Sequence, residues 1–341
     1  MKIGDTTALY VNQLLQVAEQ VGADCEQLLA DADLNPAQLL DDDNRIDLTY
    51  LMRLGRGAIR QSGRPDIGLL LGQNSRISSL GYVGLAAMTA PTLGEALAIV
   101  LKYEHLNSQC YRGTSQLQAE GAQTAMVFYS IAPYNAYTCF VVDGVLSAWV
   151  KLQQLLSGQC GLVQKAEIEF DAPNYVGDYQ RAFQCEVRFG APRNAIVLNS
   201  SDLDIPLPEA NGQLHAKLLR KCDQLLNQIA LADSYRNKVL KVLGTMLHGQ
   251  TPSIDEVALT LGMPSWTLRR KLKEEDSAYQ SLVDEMRRDV AMSYMKNTDL
   301  TFGEISYLLG FSTPGAFQRA FKRWSGQTPG EFRKSLIKKL K

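Results

Sequence analysis

A repeat of 48 residues constrains this chain more than any other feature of its sequence. "SIDEVALTLGMPSWTLRRKLKEED" begins at Ser253 and "TFGEISYLLGFSTPGAFQRAFKRWSG" begins at Thr301. Each copy opens on a hydroxyl residue with a glutamate three places later, Ser253 with Glu256 and Thr301 with Glu304. That is the signature of a helix start whose two ends cap each other. Gly262 and Gly310 keep the same offset and supply a residue able to take the left-handed backbone of a tight turn. Beyond the turn the offset becomes 49, pairing Leu268 with Phe317, Arg270 with Arg319, Leu272 with Phe321 and Lys273 with Lys322. One residue has therefore been added beside the second turn.

Each copy reads as two short helices joined through its glycine. The first helix buries Val257, Ala258 and Leu261 in one copy, and Ile305, Leu308 and Leu309 in the other. Met263 or Phe311 follows the turn and plugs the core. The second helix buries Leu268 and Leu272, or Phe317 and Phe321, at i and i+4. Its other face then carries Trp266, Arg269, Arg270 and Lys273, or Gln318, Arg319, Lys322 and Arg323. This is a helix-turn-helix pattern. Its second helix fits the major groove, where arginine reads guanine N7 and O6 with two bonds. One such pattern is a weak signal. Two of them, separated by the helical stretch "YQSLVDEMRRDVAMSYMKN", are a strong one. A connecting helix of about 15–18 residues spans roughly 25 Å, against about 34 Å between successive major grooves on one face of DNA.

Charge points the same way. The whole chain of 341 residues has a net charge of −1, but residues 233–341 hold 18 Lys/Arg against 12 Asp/Glu, a net +6. Residues 1–232 carry the balancing −7. An acidic body joined to a basic tail domain suits contact with nucleic acid through the tail. Lys334, Lys338, Lys339 and Lys341 read as a solvated basic end that adds salt-sensitive affinity.

The length suits two domains. Residues 1–210 read as an α+β domain with its helices grouped first: helical spacing over 5–104, a hairpin over 115–132, a helix over 137–157, then strands with one short helix. "TLGE" at Thr92 to Glu95 marks a further helix start. Residues 211–232 read as a linking helix. Residues 233–341 read as an all-α domain with two helix-turn-helix units joined by a helix.

Other chemistries find little support. The six cysteines lie singly, with no C-x-x-C spacing, and the three histidines are far apart, so neither a metal site nor a cofactor is expected. No G-x-S-x-G, phosphate-binding loop, H-E-x-x-H or dinucleotide fingerprint occurs, and no enzyme activity is expected. The N-terminus lacks a leader-type apolar region and the apolar runs are short, giving the expectation of a cytoplasmic protein without membrane contact. In the first domain, "KYEHLNSQCYRG" gathers Tyr103, Glu104, His105, Tyr111 and Arg112. Polar and aromatic groups after a helix can line a small-molecule pocket, or simply cap and solvate a helix end. "FYSIAPYNAY", with Tyr129, Tyr134 and Tyr137, is open to the same two readings.

The tandem resembles the DNA-binding domain of AraC/XylS-type transcription regulators. The resemblance is carried by Gly310, Phe311, Ser312, Phe317, Arg319, Phe321, Lys322, Arg323, Gly326, Thr328, Pro329, Phe332 and Arg333. "LGYVGLAAMTAPTLGEALAIVLKYEHL" and "FGAPRNAIVLNSSDLDIPLP" resemble the arabinose-binding-type effector domain of a subgroup that includes ornithine- and arginine-utilisation regulators, a label that does not imply arabinose. Carried over by position, the resemblance implies base contact by Ser265, Trp266, Arg269 and Arg270 in the first unit and by Thr313, Pro314, Gln318 and Arg319 in the second. It implies promoter DNA, RNA polymerase, a second copy of the chain and a small-molecule effector as partners, with activation the commoner outcome. Pro314 and Gly315 depart from the longer polar residues of relatives, and Asp276 stands where the family commonly has glycine. An amino acid or amine and a fatty acyl chain both remain open as effectors. Two alternatives stand beside this reading. One is a regulator whose first domain only dimerises or binds a protein partner. The other is an enzyme, since some proteins fuse such DNA-binding units to an alkyl-DNA repair activity that uses a zinc-bound cysteine cluster, which the scattered cysteines argue against.

Overall fold

The computed structural model describes residues 4–110, 115–128, 139–232, 234–246, 251–297 and 300–338. They fall into two compact units, which divide between Ile229 and Ala230.

The N-terminal unit runs β1 (Gly4–Thr7), α1 (Ala8–Gln20), α2 (Cys25–Ala32), β2 (Arg45–Asp47), α3 (Leu48–Ser62), α4 (Ile67–Gln73), α5 (Gly81–Met88), α6 (Leu93–Lys102), α7 (Glu104–Asn107) and β3 (Ser108–Cys110). It continues with β4 (Gln116–Glu120), β5 (Gln123–Phe128), α8 (Cys139–Ser157), β6 (Val163–Glu167), α9 (Val176–Phe183), β7 (Glu186–Arg188), β8 (Asn194–Asn199) and α10 (Gly212–Ala232), whose last residues cross the division. Side-chain oxygens fix several helix starts: Asp24 accepts from the Gln27 amide, Asp47 from Thr49 and Thr92 from Glu95, each relieving an otherwise orphaned donor.

The first hundred residues are not continuously helical. β1 pairs antiparallel with both β2 and β3 to make a three-stranded sheet. Arg45 clamps it: its Nε donates to Asp5 Oδ1 at 2.8 Å and its Nη1 to the Leu106 carbonyl at 2.8 Å. The second sheet has five strands in the order β4-β5-β8-β6-β7, antiparallel except for the β6–β7 pair. The hairpin expected over 115–132 is present as β4 and β5, turning through Gly121 at φ 64°.

α8 is the central helix of this unit. Phe140, Val142, Leu146 and Val150 are buried along it. α4 lies so close that a β-carbon on Gly72 would stand 2.5 Å from the Ala148 nitrogen, an approach that only glycine permits. Among the described residues α8 is the one helix long and apolar enough to cross a membrane; here it is a core helix. α10 begins against this unit, with Cys222 buried and His215 Nδ1 2.9 Å from the Ala86 carbonyl oxygen.

Among the described residues the regular structure of the C-terminal unit is helix alone: α11 (Tyr235–Met246), α12 (Ile254–Thr260), α13 (Ser265–Glu274), α14 (Tyr279–Asn297), α15 (Phe302–Leu308), α16 (Pro314–Ser325) and α17 (Pro329–Lys338). It holds two apolar cores. Val239, Leu243, Val257, Leu268 and Leu272 fill the first with Leu282, Val283 and Met286 of α14. Ile305, Leu309, Phe317 and Phe321 fill the second with Ala291 and Met295 of the same helix. Val290 packs against both. Each fully buried phenylalanine of the second core contributes about 1.5–3 kcal/mol relative to exposure, and α14 lines both cores.

Candidate nucleic-acid interface

The two helix-turn-helix units share the bonds that start their first helices and close their turns. At the start of α12, Ser253 Oγ accepts from the Glu256 amide at 3.2 Å while Glu256 Oε2 accepts from the Ser253 amide at 2.7 Å. At the start of α15, Thr301 and Glu304 repeat both bonds at 3.2 and 2.7 Å. The amide bonds hold both glutamate carboxyls below their ordinary range. At the turns, the Met263 amide donates to Ala258 and the Phe311 amide to Ser306, each at 3.0 Å, across glycines with φ of 69° in both units. This is the left-handed helix ending that glycine favours.

The turns aim α13 and α16. Leu268 and Leu272, and Phe317 and Phe321, are buried, so the opposite faces must look outward. Trp266, a large indole that costs free energy to hydrate, is 67% exposed. Arg269, Arg270 and Lys273 are exposed beside it, and Ser265 is half-buried. On α16, Pro314, Gln318, Arg319, Lys322 and Arg323 are exposed, and the exposed Thr313 caps the helix by accepting from the Ala316 amide at 3.2 Å. Arg270 reaches Glu274 at 3.7 Å and Arg323 reaches Asp284 of α14 at 2.9 Å. Arg269, Lys273, Arg319 and Lys322 have no hydrogen bond or ion pair to another described side chain. These four cations on two outward faces, of which Lys322 also acts on the nearby Glu331 carboxyl, are available to phosphate or base edges. Asp276 holds a left-handed φ of 50°, so the turn it closes survives without glycine, as an aspartate can allow.

Sequence reasoning passed over two features of this surface. Thr328 and Glu331 make a third reciprocal cap, at the start of α17, with bonds of 2.8 and 3.3 Å; the same T-x-x-E spacing was there to be read. Arg287 of α14 donates to the carbonyls of the second turn, and no spacing rule announces such a bond.

In the N-terminal unit the expected pocket residues divide. Ala98, Leu101, Lys102, Glu104, His105, Ser115 and Leu117 line a cleft of about 400 Å³. Glu104 Oε1 accepts from the Ser115 amide at 3.0 Å, and burial pushes its carboxyl above the usual range against the pull of that bond. Tyr103 is instead a tie to α10: buried, its hydroxyl donates to Asp223 Oδ1 at 2.6 Å. Arg112, Tyr111, Tyr129, Tyr134 and Tyr137 lie outside the described residues. Among the described residues no cluster of three or more His, Cys, Asp or Glu is placed to hold a metal ion.

Comparison with known proteins adds to this geometry. Residues 22–207 match the family described as "Arabinose-binding domain of AraC transcription regulator, N-term". Residues 257–335 match a helix-turn-helix domain family. The chain is similar to an ornithine utilization regulator of Pseudomonas aeruginosa, 25% identical over 326 residues, covering 96% of this chain and 95% of that protein. It is also similar to an HTH-type transcriptional regulator of Mycobacterium tuberculosis, 26% identical over 326 residues, covering 94% of this chain and 93% of that one. The crystal structure of the transcriptional regulator CdpR from Pseudomonas aeruginosa is 22% identical, spans 91% of this chain and 96% of its own, and superposes with a TM-score of 0.45.

Proposed function

The chain belongs to the AraC family of transcription regulators, a DNA-binding regulator, and from that premise we propose that it reads two successive major grooves with α13 and α16 under the control of a small ligand held by the N-terminal unit. The observation that carries the reading is the pair of outward faces. Two helices at equivalent places in the repeat each present exposed cations; α16 packs on α14, and α13 shares an apolar core with it. That helix has 19 residues and so is about 28 Å long, a length suited to neighbouring grooves about 34 Å apart. Arg269, Arg270, Gln318 and Arg319 then meet base edges, with Ser265, Trp266, Thr313 and Pro314 at the helix starts. Lys273, Lys322 and Arg323 meet phosphate.

The lining of the cleft supports one choice of ligand chemistry. Glu104 offers a half-buried carboxylate in a cleft whose lining also includes the apolar side chains of Ala98, Leu101 and Leu117. An ammonium group stabilises such a carboxylate, and an acyl chain without a cation does not. A relative is named for ornithine utilization, and an amine-bearing small molecule is the ligand we propose for this chain. The N-terminal unit also pairs two copies of the chain, and the DNA-bound dimer meets RNA polymerase as an activator. The domain limits that serve this reading are 1–210 for ligand and dimer, 211–232 for the link and 233–341 for DNA.

The test is to sequence the genomic fragments that the full-length protein retains at about 150 mM salt, with and without ornithine and related amines. Discrete promoter sites of about 17–20 base pairs per protomer, gained or sharpened by an amine, are the expected result. Retention spread over the genome and lost with salt, whatever the amine, would remove the two-groove reading.

A further inference from the structure

One side chain joins both helix-turn-helix units. Arg287 lies on α14 between the residues given to the first core, Leu282, Val283 and Met286, and those given to the second, Ala291 and Met295. Its Nε donates to the Leu309 carbonyl at 2.9 Å and its Nη2 to the Gly310 carbonyl at 2.8 Å. The same Nη2 also bonds Thr251 Oγ1. The guanidinium carbon stands 4.4 Å from the centre of the Phe311 ring. Leu309 and Gly310 are the turn that aims α16, while Thr251 leads into Ser253, the cap of α12.

We propose that Arg287 is a positioning residue that fixes α16 relative to α13, and so sets the spacing between half-elements that the operator must have. The proposal rests on the reading that both helices enter DNA. The chemistry favours it. The two carbonyls are end-of-helix acceptors without a partner inside α15, where a cation is favoured. A planar fork with five donors can hold both carbonyls and a hydroxyl while its face lies on an aromatic ring, which an ammonium cannot reproduce. Arg287 is not among the apolar residues of either core. Its loss therefore loosens the angle between two units that each keep their packing, and the slack falls on operator geometry, because one base pair displaces a half-element by about 3.4 Å and turns it by about 35°.

The experiment measures affinity of the full-length protein for its retained operator and for versions with one or two base pairs added or removed between the half-elements. Wild type is expected to lose roughly tenfold or more with each change. Arg287→Ala and Arg287→Lys are expected to bind the native spacing about tenfold less tightly, yet to lose under about threefold when the spacing changes. Thr251→Val, which removes one arm of the clamp, is expected to relax the profile in part, and it decides the matter with Arg287→Lys if Arg287→Ala does not fold. A steep wild-type profile that the variants reproduce at lower affinity overturns the role of Arg287 alone. A flat wild-type profile overturns the two-groove reading, and the proposal with it.

Discussion

Gly262 and Gly310 stand 48 positions apart and share one backbone conformation, φ 69° in each. The amide of each donates to the carbonyl three residues before it, at 3.0 and 2.9 Å. The repeat is thus a repeat of torsion angles as well as of letters, and the direction of each exposed helix depends on it.

Gly262→Ala should destabilise the C-terminal unit by about 1 kcal/mol. A β-carbon at Gly262 would meet nothing within 4 Å, so the cost is torsional and not steric. Urea denaturation followed by tryptophan fluorescence measures it. Gly262→Asn should cost less, since asparagine tolerates the left-handed region; equal costs would point to a clash instead.

Phe317→Ala and Trp266→Ala should separate stability from recognition. Phe317 is fully buried, and its truncation should cost about 3–5 kcal/mol. Trp266 is 67% exposed, so its truncation should move stability by less than about 0.5 kcal/mol while lowering operator affinity. Thermal melts and fluorescence anisotropy on one operator check both. An unchanged affinity in Trp266→Ala would remove the indole from the interface.

Arg269→Ala, Arg270→Ala and Arg319→Ala should each weaken specific binding by about 1–3 kcal/mol. Arg270 must first leave Glu274, an exposed pair worth about 0.3–0.5 kcal/mol, which does not alter the range. Lys322→Ala should weaken all sequences alike and lower the slope of log affinity against log salt by about one. Titrations at several salt concentrations, on operator and on unrelated DNA, distinguish the two classes.

Asp143 should give the N-terminal unit a pH-dependent stability. It is fully buried, its Oδ1 accepts the Tyr179 hydroxyl at 2.8 Å, and burial raises its carboxyl to about 8. The unfolded chain releases that proton near 4. The folded state therefore holds the extra proton between the two values. Stability falls as pH rises through that window, by up to about 1.4 kcal/mol per unit, and levels off above the folded value. Asp143→Asn should remove the slope, so that melts from about pH 5 to about pH 9 show the variant gaining on wild type. Parallel curves would show that Asp143 is charged in the fold.

What the sequence made legible follows from how local each cause is. The capped starts of α12 and α15, the glycine turns and the i, i+4 apolar pairs are written within a dozen residues, and the structure has them where the spacing put them. The three-stranded sheet was not legible. β1 and β2 are "GDTT" and "RID", too short for any period, and they pair because Asp5 meets Arg45 from 40 positions away. The parallel β6–β7 pair depends in the same way on α9 returning the chain. Of the pocket residues, Glu104 and His105 face a common cleft while their neighbour Tyr103 does not, because α7 starts a new helix at Glu104 and changes the direction in which successive side chains leave the chain.

α14 gives its first half to one core and its second half to the other, and this restricts how such a chain can change length. One residue gained or lost inside α14 would swing everything beyond it by about 100° around the helix axis and strip one core of its wall. One residue gained between a turn and the next helix start alters only a bend. The two copies differ in that way: the offset is 48 as far as Gly310 and 49 from Thr313 onward. Length has drifted where no helix has a phase to keep.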